Sequence, residues 1–163
     1  MTYRNFDRII IDMGKVCSFF GHADTVITDE LRDKIKNEVL RLINDGFDVF
    51  LFGGFGNFDD ECYKTVSTLR KSFPNIKRVF CLYDQRQENV YKRPLWLQKE
   101  EYEDYVYLSL RYEYWYKRIY YRNVEMINLS DFIIFYVFDI EKSGANKALK
   151  YAKQVKKKYV NII

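Results

Sequence analysis

The chain has 163 residues, of which 48% are hydrophobic and 31% charged, with a formal net charge of +4. That length fits one domain, residues 1–163, and that apolar content supports a substantial core, which excludes wholesale disorder. A charge of +4 dispersed among mixed acids and bases is too mild to argue for nucleic-acid binding by itself.

Cys17, Cys62 and Cys81 lie far apart with no CxxC pair, and His22 is the sole histidine. A structural zinc site takes about four such ligands at short spacing, so no metal is expected, and nothing calls for a cofactor. Thiols placed in apolar runs suit a reducing compartment. The N-terminal stretch MTYRNFDRIIIDMGK has no signal-peptide pattern. No apolar run reaches the ~18 residues of a membrane span. The expected location is cytoplasmic, with no membrane partner.

Lys15–Gly21 (KVCSFFG) is apolar without polar alternation and predicts a buried strand. Thr28–Asp45 predicts a helix: Thr28 can cap it, Asp29 and Glu30 occupy the first turn, and Gly46 follows the end. Leu31, Ile35, Val39, Leu42 and Ile43 give it one apolar face. Asp48–Phe52 (DVFLF) is a second strand running into glycines. Asp59–Phe73 is a helix that stops at Pro74. Ile76–Tyr83 is a third strand, Phe132–Phe138 (FIIFYVF) a fourth, Ser143–Lys157 a helix and Tyr159–Ile163 a last strand.

Between them, residues 84–121 form an aromatic-rich insert holding Trp96, Trp115, Pro94 and many tyrosines. Arg111–Asn128 reads as a helix with Tyr112, Trp115, Ile119, Met126 and Ile127 near one stripe. The stretch 84–110 carries no clear pattern. Apolar strands alternating with helices predict an α/β, Rossmann-like, doubly wound, mainly parallel sheet of about five strands with helices on both faces. Such sheets bind ligands beyond the carboxyl ends of their strands, where strand order reverses.

Four segments offer chemistry there. Phe20-Gly21-His22-Ala23-Asp24-Thr25 follows the first strand; Gly21 permits a sharp turn, and His22 and Thr25 can meet phosphate or sugar, or simply pack a tight turn. Gly53-Gly54-Phe55-Gly56-Asn57-Phe58-Asp59 joins the second strand to a helix start that attracts anions, with Asn57 or Asp59 as its cap. Asp60 and Glu61 beside it read as first-turn acids that complement the helix dipole. Arg122 is either a phosphate clamp or a solvated arginine, and Asn123 sits close to a buried stripe. Ser143-Gly144-Ala145 opens the last helix as a cap or as an anion site.

Taken together these motifs resemble the SLOG superfamily, the Rossmann-type domains related to the LOG enzymes and DprA proteins, and most of all short bacterial YpsA-like proteins. The likeness rests on Phe19-Phe20-Gly21-His22, on Gly56-Asn57-Phe58-Asp59, on Arg122-Asn123 with Met126 and Ser130-Asp131, and on Gly144-Ala145. It runs from about Lys15 to the C-terminus, weakest over the aromatic segment. The resemblance implies ligand sensing at these loops. It also marks two departures. Members usually carry arginine after Gly-His, where this chain has Ala23. The LOG motif P-G-G-x-G-T-x-x-E ends on a glutamate that serves N-glycosidic cleavage. Here Phe52, Asn57 and Asp60 replace its proline, threonine and glutamate. An aspartate is one methylene shorter and displaces the reacting group.

The leading expectation is a non-enzymatic binder of a nucleotide or nucleotide-derived molecule, acting as a sensor or sequestering protein; a phage-encoded anti-defence protein is one such role. The first alternative is an N-glycosidic hydrolase or transferase acting on nucleoside phosphates, with Asp59 or Asp60 as its carboxylate. The second is a nucleic-acid or protein interaction module using the aromatic segment, with nucleic acid the less favoured partner. The amount of aromatic surface also suggests a homodimer.

Overall fold

The computed structural model describes residues 14–83, 101–108, 114–138 and 143–163. Strand β1 (Lys15–Gly21) leads to helix α1 (Asp29–Asn44), β2 (Phe47–Phe52), α2 (Asn57–Arg70), β3 (Lys77–Leu82) and β4 (Asp104–Tyr107). Then come α3 (Trp115–Leu129), β5 (Phe132–Tyr136), α4 (Gly144–Gln154) and β6 (Tyr159–Asn161). The six strands lie in the order β4-β3-β2-β1-β5-β6, and every pairing is parallel. The chain winds outward from β1 through β4, then returns to lay β5 on the other side of β1. Strand order therefore reverses between β1 and β5.

Two apolar layers enclose the sheet because successive side chains on a strand face opposite ways. Cys17, Phe19, Phe50, Phe52, Phe80 and Ile134 pack against Leu31, Ile35, Val39 and Leu42 of α1 and Phe58, Cys62 and Val66 of α2. Val16, Phe20, Leu51, Val79, Ile133 and Phe135 pack against Met126 and Ile127 of α3 and Ala145, Ala148, Leu149 and Ala152 of α4. Strands covered on both faces explain why they read as unbroken apolar runs.

The local signals at α1 and α4 hold. Thr28 Oγ1 accepts from Leu31 N–H at 3.1 Å, and Gly46 takes φ +92° just past the helix end. Ser143 caps α4, accepting from Asn146 N–H at 3.2 Å. Helix α2 differs from expectation. It begins at Asn57, and its cap is Gly56, with no side-chain cap bond. Neither Asn57 nor Asp59 caps it, because the Asp59 carboxylate is turned back onto the preceding loop.

The sheet has six strands, one more than the sequence suggested. The addition is β4, inside the insert that carried no pattern. It forms an edge strand on β3, held by Arg78, whose guanidinium donates to Glu103 at 2.8–3.2 Å. The Tyr63 hydroxyl donates to Glu101 O at 2.6 Å and accepts from Glu101 N–H at 2.7 Å. Helix α3 starts at Trp115, four residues later than its predicted Arg111 boundary. Trp96, Pro94 and Tyr112 lie outside the described residues.

Candidate functional site at the carboxyl edge of the sheet

The loop after β1 is fastened on both sides. Gly21 is required by packing: a Cβ there would run into the Phe58 ring. His22 is buried, and its Nε2 accepts from Phe138 N–H at 3.2 Å. Nε2 therefore carries no proton, and Nδ1 is the protonated nitrogen that meets Ser143 Oγ at 3.1 Å. Thr25, also buried, donates from Oγ1 to His22 O at 2.6 Å. On the other side Ala23 O accepts from Asn57 N–H at 2.9 Å, and Asn57 Nδ2 donates to Thr25 O at 3.2 Å. Gly56, with φ +95°, lies so close to Ala23 that a Cβ would come within 2.6 Å of its Cα. The β1 loop is thus wedged between the N-termini of α2 and α4, at the point where strand order reverses.

The loop after β2 is built around one buried carboxylate. Asp59 accepts from Gly53 N–H at 3.3 Å and Gly54 N–H at 3.0 Å. Arg122, reaching over from α3, donates from Nη1 to Gly53 O at 2.9 Å. Its guanidinium lies over the Tyr83 ring at 5.2 Å and also donates to Asn123 Oδ1 from Nη2 at 3.0 Å. The anion-cradling N–H groups of Gly53 and Gly54 are therefore occupied by the chain's own acid. The first turns of α2 and α4 also present N–H groups to this edge, because helices leave their first donors without internal partners, although Asn57 N–H and Asn146 N–H are taken by Ala23 O and Ser143 Oγ.

Burial pushes the Asp59 carboxyl from its ordinary 3.8 to about 7, against the opposing pull of Arg122 and the two loop N–H groups. Burial likewise lowers Arg122 from its usual range. In the folded state Asp59 holds its proton up to about pH 7, whereas the unfolded chain releases it near 3.8. Its contribution to stability is therefore fully present below that lower value and lost as pH rises through about 7. A shift of this size corresponds to roughly 4 kcal/mol. Substituting Asn for Asp59 removes the titration. The urea midpoint of Asp59→Asn is expected to gain on the wild type from pH 4 to about pH 7 and then to level off. A constant offset across that range would show that Asp59 does not titrate there.

The neighbouring acids face elsewhere. Asp60 pairs with Lys64 at 3.0 Å, and Glu61 pairs with Arg32 at 3.2 Å. This removes the repulsion that an acidic run beside the glycine loop would otherwise impose on an anion.

The sequence-predicted residues are brought together unevenly. Gly21, His22, Thr25, Gly56, Asn57, Ser143 and the Ala145 turn meet around the β1 loop. Gly53, Gly54, Asp59, Arg122 and Asn123 form the second cluster. Phe58 belongs to the core, stacked on Tyr136 at 5.8 Å beneath Gly21. Arg122 is the buried partner of its pair, at 5% exposure, and is not the solvated arginine that one reading allowed; Asn123 is half-buried beside it. Gly144 is exposed, and a Cβ there would meet nothing within 4 Å.

The rest of the Arg122 motif is stitching. Ser130 Oγ meets Ser18 Oγ at 2.8 Å, and Asp131 Oδ2 accepts from Val16 N–H at 2.9 Å, which fixes the end of α3 to the central strand.

Sequence reasoning missed three exposed apolar side chains at this edge: Val26, Phe55 and Phe138, at 77%, 72% and 42% exposure. Phe138 lies nearly parallel to the His22 ring, with an interplanar angle of 12° and centroids 6.3 Å apart. The available signal was an aromatic residue flanked by loop glycines at Phe55, and another immediately past β5 at Phe138. No described helix is long and apolar enough to cross a membrane.

No protein-family profile matches the sequence, and no curated protein does. Solved structures share the fold. The structural-genomics protein TM1055 superposes with a TM-score of 0.56 at 16% identity, over 90% of this chain and 72% of its own. DNA processing protein A of Streptococcus pneumoniae gives 0.59 at 12% identity, over 93% of this chain and 50% of its own. The single-stranded-DNA-binding DNA processing protein A of Helicobacter pylori gives 0.55 at 15% identity, over 92% and 66%. This chain therefore spans half the length of the streptococcal protein. Parallel topology, a reversal beside β1 and these superpositions agree: the chain has the Rossmann-like fold that its SLOG resemblance implies.

Proposed function

We propose that the chain binds a nucleotide or nucleotide-derived small molecule at the carboxyl edge of the sheet and acts as a sensor or sequestering protein. The observation that carries this reading is the β1 loop held between two helix N-termini at the strand-order reversal. Both helix dipoles present their positive ends to one rim, which favours a phosphate. Exposed Phe55 and Phe138 sit at the same edge and offer aromatic faces to a base. Because Asp59 occupies the Gly53 and Gly54 donors, the phosphate is assigned to the first turns of α2 and α4.

Calorimetric titration with adenine nucleotides, NAD, ADP-ribose and cyclic nucleotides tests the proposal. Binding of at least one is expected. The double variant Phe55→Ala/Phe138→Ala should weaken it about fivefold or more, as loss of base stacking predicts. Absence of heat and of thermal shift with every ligand would remove the proposal.

A nucleoside-phosphate N-glycosidase is the second reading, favoured by a carboxyl whose pKa of about 7 suits acid–base work. Against it, both Asp59 oxygens are held by backbone N–H groups. We expect no free base on incubation with nucleoside monophosphates. Release that Asp59→Asn abolishes would instead establish the enzyme.

A further inference from the structure

A second feature borders the crevice at the first turn of α4, where Lys147 lies. Helices α3 and α4 leave between them an open cavity of about 530 Å³, lined by Tyr116, Lys117, Tyr120, Lys147, Lys150 and Tyr151, with Tyr121 and Gln154 at its sides. Among the described residues no carboxylate lines it. Helix α4 carries Lys147, Lys150 and Lys153 and not one acid, and α3 has Glu125 as its single acid. Lys147 and Lys150 are exposed and have no carboxylate partner among the described residues. Tyr116 is 54% exposed and continues the aromatic surface to Tyr114, whose ring it stacks upon at 5.6 Å and 19°. Lys117 lies over the Tyr114 ring at 5.4 Å.

A protein surface that only needs solubility mixes its charges and hides its rings. This one does neither. Aromatic faces alternating with cations that have no carboxylate partner among the described residues match a polyanion that carries flat rings. The groove is open along its length, so it would not enclose the 70–90% of a small ligand's surface that a pocket of that kind typically buries. It suits a linear ligand. From these features we infer that the α3–α4 groove is a binding track for single-stranded nucleic acid, with bases on Tyr116 and Tyr120 and phosphates on Lys117, Lys147 and Lys150. An acidic peptide would satisfy the lysines but would bring no flat ring to the tyrosines.

Fluorescence anisotropy of the full chain with labelled dT20, rU20 and an oligo-glutamate of equal charge tests this. The wild type should bind the oligonucleotides, with affinity falling as salt rises. Lys147→Glu/Lys150→Glu should weaken binding at least tenfold and flatten the salt dependence. Tyr116→Ala/Tyr120→Ala should weaken it about fivefold or more with the salt slope unchanged, since stacking carries no counterions. Phe55→Ala/Phe138→Ala, placed in the crevice, should leave it unchanged, so the two sites fail independently. Circular dichroism checks that the variants fold. No oligonucleotide binding at 50 mM salt would overturn the inference. So would oligo-glutamate binding as tightly as dT20, or loss of binding in the crevice variant but not in the lysine variant.

Discussion

Replacing Arg122 with Met should lower the unfolding free energy by about 1–3 kcal/mol at pH 7.5, the cost of leaving a buried acceptor without its donor. Two interactions disappear in the same substitution. The Gly53 carbonyl is left without its 2.9 Å donor, and Asp59, buried at 9% exposure, is left without the guanidinium whose charge favours its ionised form. Methionine fills much of the stem volume, so the destabilisation reports charge and hydrogen bonding more than a cavity.

The effect should shrink toward pH 5. Asp59 is then neutral in the folded state and no longer needs a countercharge. Arg122→Lys should fall between the two. It restores the charge but lacks the fork that serves Gly53 O and Asn123 Oδ1 at once. Urea unfolding at both pH values measures all of this. A destabilisation well under ~1 kcal/mol at pH 7.5, below the cost of one orphaned buried acceptor, would mean that Arg122 does not hold the β2 loop.

Gly54→Ala should cost about 2–4 kcal/mol, because a forbidden backbone region and a core clash coincide. Gly54 has φ +69°, a region that an L side chain enters at a cost of roughly 1–2 kcal/mol. Its Cβ would also point into the Phe80 ring, which is fully buried and cannot yield without disturbing the core. Moving the loop instead would break the Gly54 N–H bond to Asp59.

Gly144→Ala provides the contrast. A Cβ there meets nothing within 4 Å, and φ is not positive, so stability should stay level or rise by up to ~1 kcal/mol. Thermal melts of the pair decide the matter. Equal destabilisation in both would show that the glycines act through chain flexibility and not through packing at Gly54. Because Gly144 is free of packing demands, weaker nucleotide binding in Gly144→Ala would speak directly for a ligand at the start of α4.

The sequence was informative wherever the responsible interactions are short in range. Thr28 and Ser143 were readable as caps because a cap bonds a group three residues along the same chain. The runs Lys15–Gly21 and Phe132–Phe138 were readable as strands because burial on both faces leaves continuous apolar sequence, although the second strand ends at Tyr136. Strand β4 was not readable: Asp104–Tyr107 is only four residues long, and it is placed by pairing with β3 and by Arg78 and Tyr63, which grip the segment before it. The cap of α2 misled for a related reason. Asp59 has the chemistry of a cap, but its carboxylate faces two loop N–H groups that the turn at Gly54 aims at it.

Sequence alone thus determined the alternation of strands and helices, the apolar faces, and the glycine turns at the carboxyl edge, because periodicity and local hydrogen bonds act within a few residues. Only the tertiary structure decided that Arg122 is buried against Gly53, 69 residues away, and that His22 spans to Ser143, 121 residues away. It also decided that strand order reverses between β1 and β5. Those pairings follow from strand order, and strand order is set by how two helix layers share the burial of one sheet, a property that no local stretch of the chain encodes.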